Sequence, residues 1–312
     1  MRDDAGVMMP PPSGRRRSWV HYGVMMPGLP EPHRFFTVMV IAGTPGVRLF
    51  ANDHLITTSP ADTAYVVSAT SSMTRDQFRA YPIGADCDFA PDGSRLRFGD
   101  DLTIAGRLPQ LTVHRRHPEV AVVLDVDVSD VTTHFVRLPG VYRHWSRLAR
   151  ARGRVGDVEV DGPCTVEYAA GVGLHSLLDR RLPVHLPASF FTYHVLNVDA
   201  ETQLLFTRVL GPGGVPVQRA LHVRTPAGSS TVRAAHRWTA HAHDERVTPD
   251  GRRMPVPSRF TWQADGVLAH GTAHGDWTYG LGAGFVGSYD YEGTFRGRPI
   301  GGVGYVEYVD LR

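Results

Sequence analysis

The chain contains no lysine: all 33 basic residues among its 312 are arginine. Schiff-base and pyridoxal-phosphate chemistry are thereby excluded, because both need a lysine amine. A Walker-type phosphate loop loses its lysine as well. Cysteine is nearly as scarce. Cys87 and Cys164 are too few for a disulfide framework and lack metal-binding spacing. Both read as reduced, buried small residues of a cytoplasmic protein. Long apolar runs are missing too: Val38 to Ala42 is far short of a membrane span. The arginines at 15 to 17 are not followed by the apolar core of a secretory signal. The net charge is only +2, so no global field favours nucleic acid. The sequence shows no Gly-x-Ser-x-Gly, no dinucleotide fingerprint after a strand and no nucleophile with an adjacent base.

Helical periodicity is the last scarcity. Only Thr74 to Tyr81 and His144 to Arg152 carry a pattern suited to a few helical turns. Strand signals fill the rest. In the first half they cover Phe35 to Ala42, Val47 to Phe50, Thr63 to Ala69, Arg95 to Phe98, Leu111 to His114 and Val120 to Val128. In the second half they cover Phe190 to Val198, Gln203 to Leu210, Val217 to Arg224, Thr231 to Ala240, Phe260 to Gly266, Val267 to Thr272, Phe285 to Phe295 and Val303 to Val309. Asp92-Gly93 is a hairpin signal, and Gly211 to Gly214 and Pro249 to Gly251 are turns.

One segment repeats. Arg152 to Ala169 aligns without a gap on Glu292 to Val309, pairing Gly153 with Gly293 and Gly162 with Gly302. Val166-Glu167-Tyr168 then falls on Val306-Glu307-Tyr308. Such repetition fixes the unit of the fold. The reading is all-β: two tandem lipocalin-like antiparallel barrel or sandwich domains with little helix, because many short strands favour closed sheets. Residues 1–18 form a disordered tail, 19–183 the first domain and 184–312 the second, with the boundary at Pro183 to Pro187. A barrel interior wide enough for one small ligand makes a hydrophobic small molecule the expected partner. Neither a cofactor nor a metal is expected.

The ending Gly282 to Asp310 resembles the C-terminal signature of the AttH/carotenoid-hydratase superfamily. Gly162 to Ala169 is similar to its first-domain counterpart, and His21 to Phe36 resembles the start of an uncharacterised bacterial family within it. The resemblance spans most of residues 20–312 and implies two lipocalin-like β domains acting on long apolar substrates. Some relatives hydrate a carbon–carbon double bond; others are pericyclases of the Diels–Alderase type. His236-Arg237-Trp238 resembles the His-x-Trp of the hydratases.

Candidate catalytic residues are Asp276, His236 and Glu307, and candidate substrate-binding walls are Trp238, Trp277, Tyr279, Tyr289 and Tyr305. Asp276 lies between glycine and aromatic residues, where an acid can protonate an alkene or carbonyl gripped by rings. His236 and Trp238 share a strand face, placing an imidazole beside an indole. Glu307 and Glu167 are carboxylates whose burial would raise the pKa; the plainer reading makes the repeated Glu-Tyr architectural. Asp125 and Asp127 alternate on one strand as in a β-jellyroll glycosidase, or as an outward polar face. His241 and His243 form a pair without a third ligand at motif spacing. The expected function is a cofactor-free enzyme promoting cyclisation, isomerisation or hydration of a polyene- or polyketide-like substrate. The alternative is a non-catalytic lipid or polyketide carrier.

Overall fold

Apolar and polar residues alternate along most of the chain, and the backbone pairs accordingly: the computed structural model is 66% strand and 6% helix. It describes residues 8–11, 19–43, 45–173, 188–233 and 236–312. The first sheet contains β1 (Trp19–Pro27), β2 (Phe35–Ala42), β3 (Thr63–Thr70), β4 (Phe78–Pro82), β5 (Cys87–Phe89) and β6 (Arg95–Phe98). It continues with β7 (Leu102–Arg107), β8 (Gln110–Arg115), β9 (Val122–Leu138), β10 (Tyr142–Val155) and β11 (Val158–Gly171). The second contains β12 (Phe190–Asn197), β13 (Gln203–Leu210), β14 (Pro216–Thr225), β15 (Gly228–Val232) and β16 (Arg237–Val247). It continues with β17 (Arg253–Ala264), β18 (Val267–Ala273), β19 (Thr278–Leu281), β20 (Gly284–Phe295) and β21 (Arg298–Asp310).

In space the first sheet runs 4-3-2-1-11-10-9-8-7-6-5 and the second 15-14-13-12-21-20-18-17-16, with β19 on β20. The sheets end at Gly171 and begin again at Phe190; the boundary expected at Pro183 to Pro187 lies outside the described residues. Inward residues of the first sheet converge on one apolar cluster that includes Tyr22, Phe98, Val113, Val126 and Tyr168, so this sheet wraps around its own core. Met8, from the segment expected to be a tail, is buried in that cluster, and the Tyr22 hydroxyl donates to the Met9 carbonyl at 2.8 Å. The second cluster fills the second sheet with Phe206, Trp262, Tyr289 and Tyr308. It also takes Met25, Phe35, Met39 and Val67 from the first, which joins the two units through apolar packing.

The repeat is a structural equivalence. Gly153 pairs with Val160 in the β10–β11 hairpin, and Gly293 pairs with Ile300 in the β20–β21 hairpin. Added Cβ atoms at Gly153 and Gly293 would lie 2.1 Å from the Val123 carbonyl oxygen and 1.9 Å from that of Leu268. Only glycine permits this approach to the neighbouring strand, which explains its recurrence.

Several expectations from local pattern fail. Neither helical segment is helical: His144 to Arg152 lies inside β10, and Thr74 to Tyr81 is a short loop followed by most of β4. β10 is covered by the second unit along part of its length, so it lacks the polar-out alternation of an exposed strand. Val47 to Phe50 is largely a 3-10 turn rather than a strand. The single strand expected over Thr231 to Ala240 is two strands, β15 and β16, with a break that contains His236. Asp125 and Asp127 both project into solvent from β9, between the buried Leu124, Val126 and Val128. That is the outward polar face, and it removes the basis for a glycosidase reading.

Candidate functional site

Side-chain alternation sends the two halves of each Val-Glu-Tyr copy in opposite directions. Tyr168 and Tyr308 enter their own sheets' cores, while Glu167 and Glu307 face the contact between the units. The contact is rich in buried polar groups. One Glu167 oxygen accepts from the Tyr193 hydroxyl at 2.7 Å. The other lies 3.2 Å from His144 Nε2 and 3.8 Å from His21 Nε2. Arg224, fully buried, donates to Ser146 Oγ at 2.8 Å and Thr165 Oγ1 at 2.7 Å, and also to Gln203 Oε1. It thus ties β14 and β13 of one unit to β10 and β11 of the other. Across the same contact Tyr305 donates to Glu307 at 3.1 Å and meets Thr37 Oγ1 at 3.1 Å.

The two glutamates are driven in opposite directions. Burial pushes the Glu307 carboxyl well up, and the negative charge of Glu167 adds to it. Burial acts in the same direction on Glu167, but hydrogen bonds and charge from His144 and His21 outweigh it and hold that carboxyl low.

A different arrangement occupies the seam of the second sheet, whose edge strands β15 and β16 do not pair with each other. Arg208 on β13 bridges the seam, donating to the Trp238 carbonyl on β16 at 3.0 Å. Arg219 on β14 lies in register with Arg208. These two, with Arg237 and His236, line a cleft of about 330 Å³. Among the described residues none of the three guanidiniums has a carboxylate partner, so the cleft carries uncompensated positive charge. His236 is 3% exposed, and among the described residues neither ring nitrogen has a well-formed hydrogen bond, although the Thr207 backbone lies close enough to act on the ring. Trp238 Nε1, Trp262 Nε1, Thr207 Oγ1 and Arg208 Nε are likewise buried without a partner among the described residues. Each such group costs about 1–3 kcal/mol. Burial, reinforced by Arg219 and Arg208, pushes the His236 imidazole down to about 4. It is neutral at pH 7. Behind it stands an aromatic wall: Trp262 lies 5.6 Å from His236 and stacks on Phe206 at 4.7 Å.

The candidates from sequence therefore separate. His236 and Trp238 come together at the seam, and Glu307 and Tyr305 at the contact between units. Asp276 joins neither group: its oxygens accept from the Ser288 amide at 2.9 Å and the Ser288 hydroxyl at 2.5 Å, tying the loop before β19 to β20. Trp277 sits 6.4 Å from Tyr308. Tyr279 donates to Asn52 of the first unit at 2.7 Å and meets Phe78 edge-on. Tyr289 is sealed in the core against His194 Nδ1 at 3.1 Å. Arg208, Arg219, Trp262, Tyr193 and His144 were not singled out from sequence. Arginines recurring on strands that otherwise face a core were the available signal for the cleft.

No curated protein matches the sequence significantly. Three solved structures share the architecture over nearly the whole chain. An AttH protein from Nitrosomonas europaea aligns with a TM-score of 0.62 at 10% identity, covering 95% of this chain and 93% of its own. Kievitone hydratase from Nectria haematococca gives 0.56 at 12% identity, covering 99% and 94%. CghA with Sch210972 gives 0.51 at 12% identity, covering 98% and 94%. At these identities the likeness is one of fold, and the fold is that implied by the resemblance to the AttH/carotenoid-hydratase superfamily. The model of a family of unknown function, DUF6670, matches residues 39–312, and the chain belongs to that family.

Proposed function

We propose that the chain is an enzyme of the hydratase/cyclase type that holds an apolar, carbonyl-bearing substrate at the seam of its second sheet. The observation that carries this reading is His236: a buried neutral imidazole, without a well-formed hydrogen bond at either nitrogen among the described residues, on the wall of a cleft with three guanidiniums. A neutral imidazole is competent to take or relay a proton at pH 7. The guanidiniums favour a transition state that develops negative charge, such as an enolate or a polarised carbonyl. They oppose the carbocation formed by protonating an isolated alkene. Conjugate hydration, isomerisation through an enolate, or cyclisation of a carbonyl-activated polyene fit that field. The fold relatives include a hydratase, which supports the reading without specifying the substrate.

The rival is a carrier for apolar carboxylates, which uses the arginines but has no need of a buried neutral imidazole. Purified protein is incubated with linear polyenes bearing a conjugated ketone or ester, and product is followed against buffer. Turnover that falls roughly 10²–10⁴-fold in His236→Asn, with binding retained, supports the enzyme. Binding without turnover in the wild type supports the carrier.

A further inference from the structure

We infer that His21, His144 and Glu167 form a binding site for one divalent metal ion of the zinc class, at the buried contact between the units. Their ligand atoms, His21 Nε2, His144 Nε2 and a Glu167 oxygen, all lie within 4.8 Å of one another. The orientation of His21 is set by its Nδ1, which lies 3.0 Å from the Val40 carbonyl oxygen and leaves Nε2 facing the site. There Nε2 lies 3.8 Å from a Glu167 carboxylate oxygen, and a second imidazole converges on the same oxygen from 3.2 Å.

The surroundings have the features of a metal site. Zinc bonds of about 2.0–2.2 Å to nitrogen and oxygen place tetrahedral ligand atoms roughly 3.3 Å apart, close to the separations found. Each ligand is oriented by a further partner: Val40 for His21, the Tyr142 hydroxyl at 3.3 Å for His144 Nδ1, and Tyr193 for the second Glu167 oxygen. Phe135 packs edge-on against His144 at 4.8 Å and Tyr193 at 5.8 Å, giving the site an apolar wall. Gly23 pairs with Glu167 across β1 and β11, and a Cβ there would come within 3.2 Å of both Glu167 Cβ and His21 Nε2. Glycine keeps that side open. The imidazole side chains are 11% and 19% exposed, so an ion has a route in. Two imidazoles and one carboxylate suit zinc, cobalt or iron better than magnesium or calcium. No sequence motif announces the set, because the ligands come from three strands that only the sheet brings together.

The full-length protein, treated with a chelator and dialysed, is titrated with Co²⁺ and then Zn²⁺. The site predicts one Co²⁺ per chain with a visible ligand-field spectrum, displaced by one Zn²⁺. Paramagnetic shifts should appear at the His21 and His144 imidazoles but not at His241 or His243. His21→Ala and His144→Ala should each lower affinity tenfold or more, while His241→Ala leaves it unchanged. The wild-type readings stand even if a ligand variant does not fold. Wild-type protein that takes up no Co²⁺, or Co²⁺ that shifts other histidines, overturns the assignment and leaves an imidazolium–carboxylate cluster in its place.

Discussion

The contact between the units and the seam of the second sheet are both rich in buried polar side chains, yet they differ in how those groups are paired. At the contact, both Glu167 oxygens and both Arg224 terminal nitrogens meet partners, although Arg224 Nε does not. At the seam, among the described residues, His236 has no well-formed hydrogen bond at either nitrogen and the arginines have no carboxylate. The charged groups of the first region are mostly paired and those of the second are not. The same contrast recurs between the two repeat copies. Glu167 lies opposite Gly23 with His21 and His144 beside it. Glu307 lies opposite Tyr193, and the repeat-equivalent positions of the histidines are Phe191 and Gly284, neither of which offers a side-chain donor. The neighbours of each copy set the two carboxyls apart: Glu167 is held low by imidazoles, and Glu307 is pushed up by burial.

Substitutions test this division in order of expected effect. His236→Asn should lower turnover by roughly 10²–10⁴-fold while leaving the denaturation midpoint nearly unchanged; an equal loss of stability would make His236 a structural residue. Glu167→Gln and Arg224→Ala should do the reverse, each costing about 1–3 kcal/mol by urea denaturation because buried hydrogen-bonding partners are left unsatisfied. A loss below about 1 kcal/mol would show that the contact is less sealed than its geometry indicates. Gly153→Ala and Gly293→Ala should destabilise to a similar extent, by roughly 2 kcal/mol or more, since each Cβ meets strand backbone. Clearly unequal losses would break the equivalence of the repeats. Glu307→Gln should be the mildest, within about 1 kcal/mol, because a neutral isostere replaces a group whose neutral form burial favours.

Much of the fold was legible in the sequence. Alternation marked Gln203–Leu210 and Arg95–Phe98 to the residue, and the recurring glycines and Val-Glu-Tyr disclosed two equivalent hairpins. Local pattern failed where a strand is covered on both faces, as at β10, since nothing there alternates. It also failed at the sites. His21, His144 and Glu167 are remote in sequence, and Arg208, Arg219 and His236 meet only because β13, β14 and the start of β16 border one seam. Asp276 drew notice through its aromatic neighbours, whereas its oxygens are taken up by Ser288.

The seam's chemistry rests on an imidazole that cations and burial keep neutral. Unfolded histidine takes up its proton near pH 6.5, whereas folded His236 does so near 4. Acidification between these values therefore weakens the folded state, by at most about 1.4 kcal/mol per pH unit. The most direct test is NMR titration of the His236 ring, alone and with an apolar conjugated carboxylate. The account predicts a midpoint near 4 in the free protein that rises when the ligand's negative charge offsets Arg208 and Arg219. A midpoint near 6.5 in the free protein, or one that the carboxylate does not move, would contradict it.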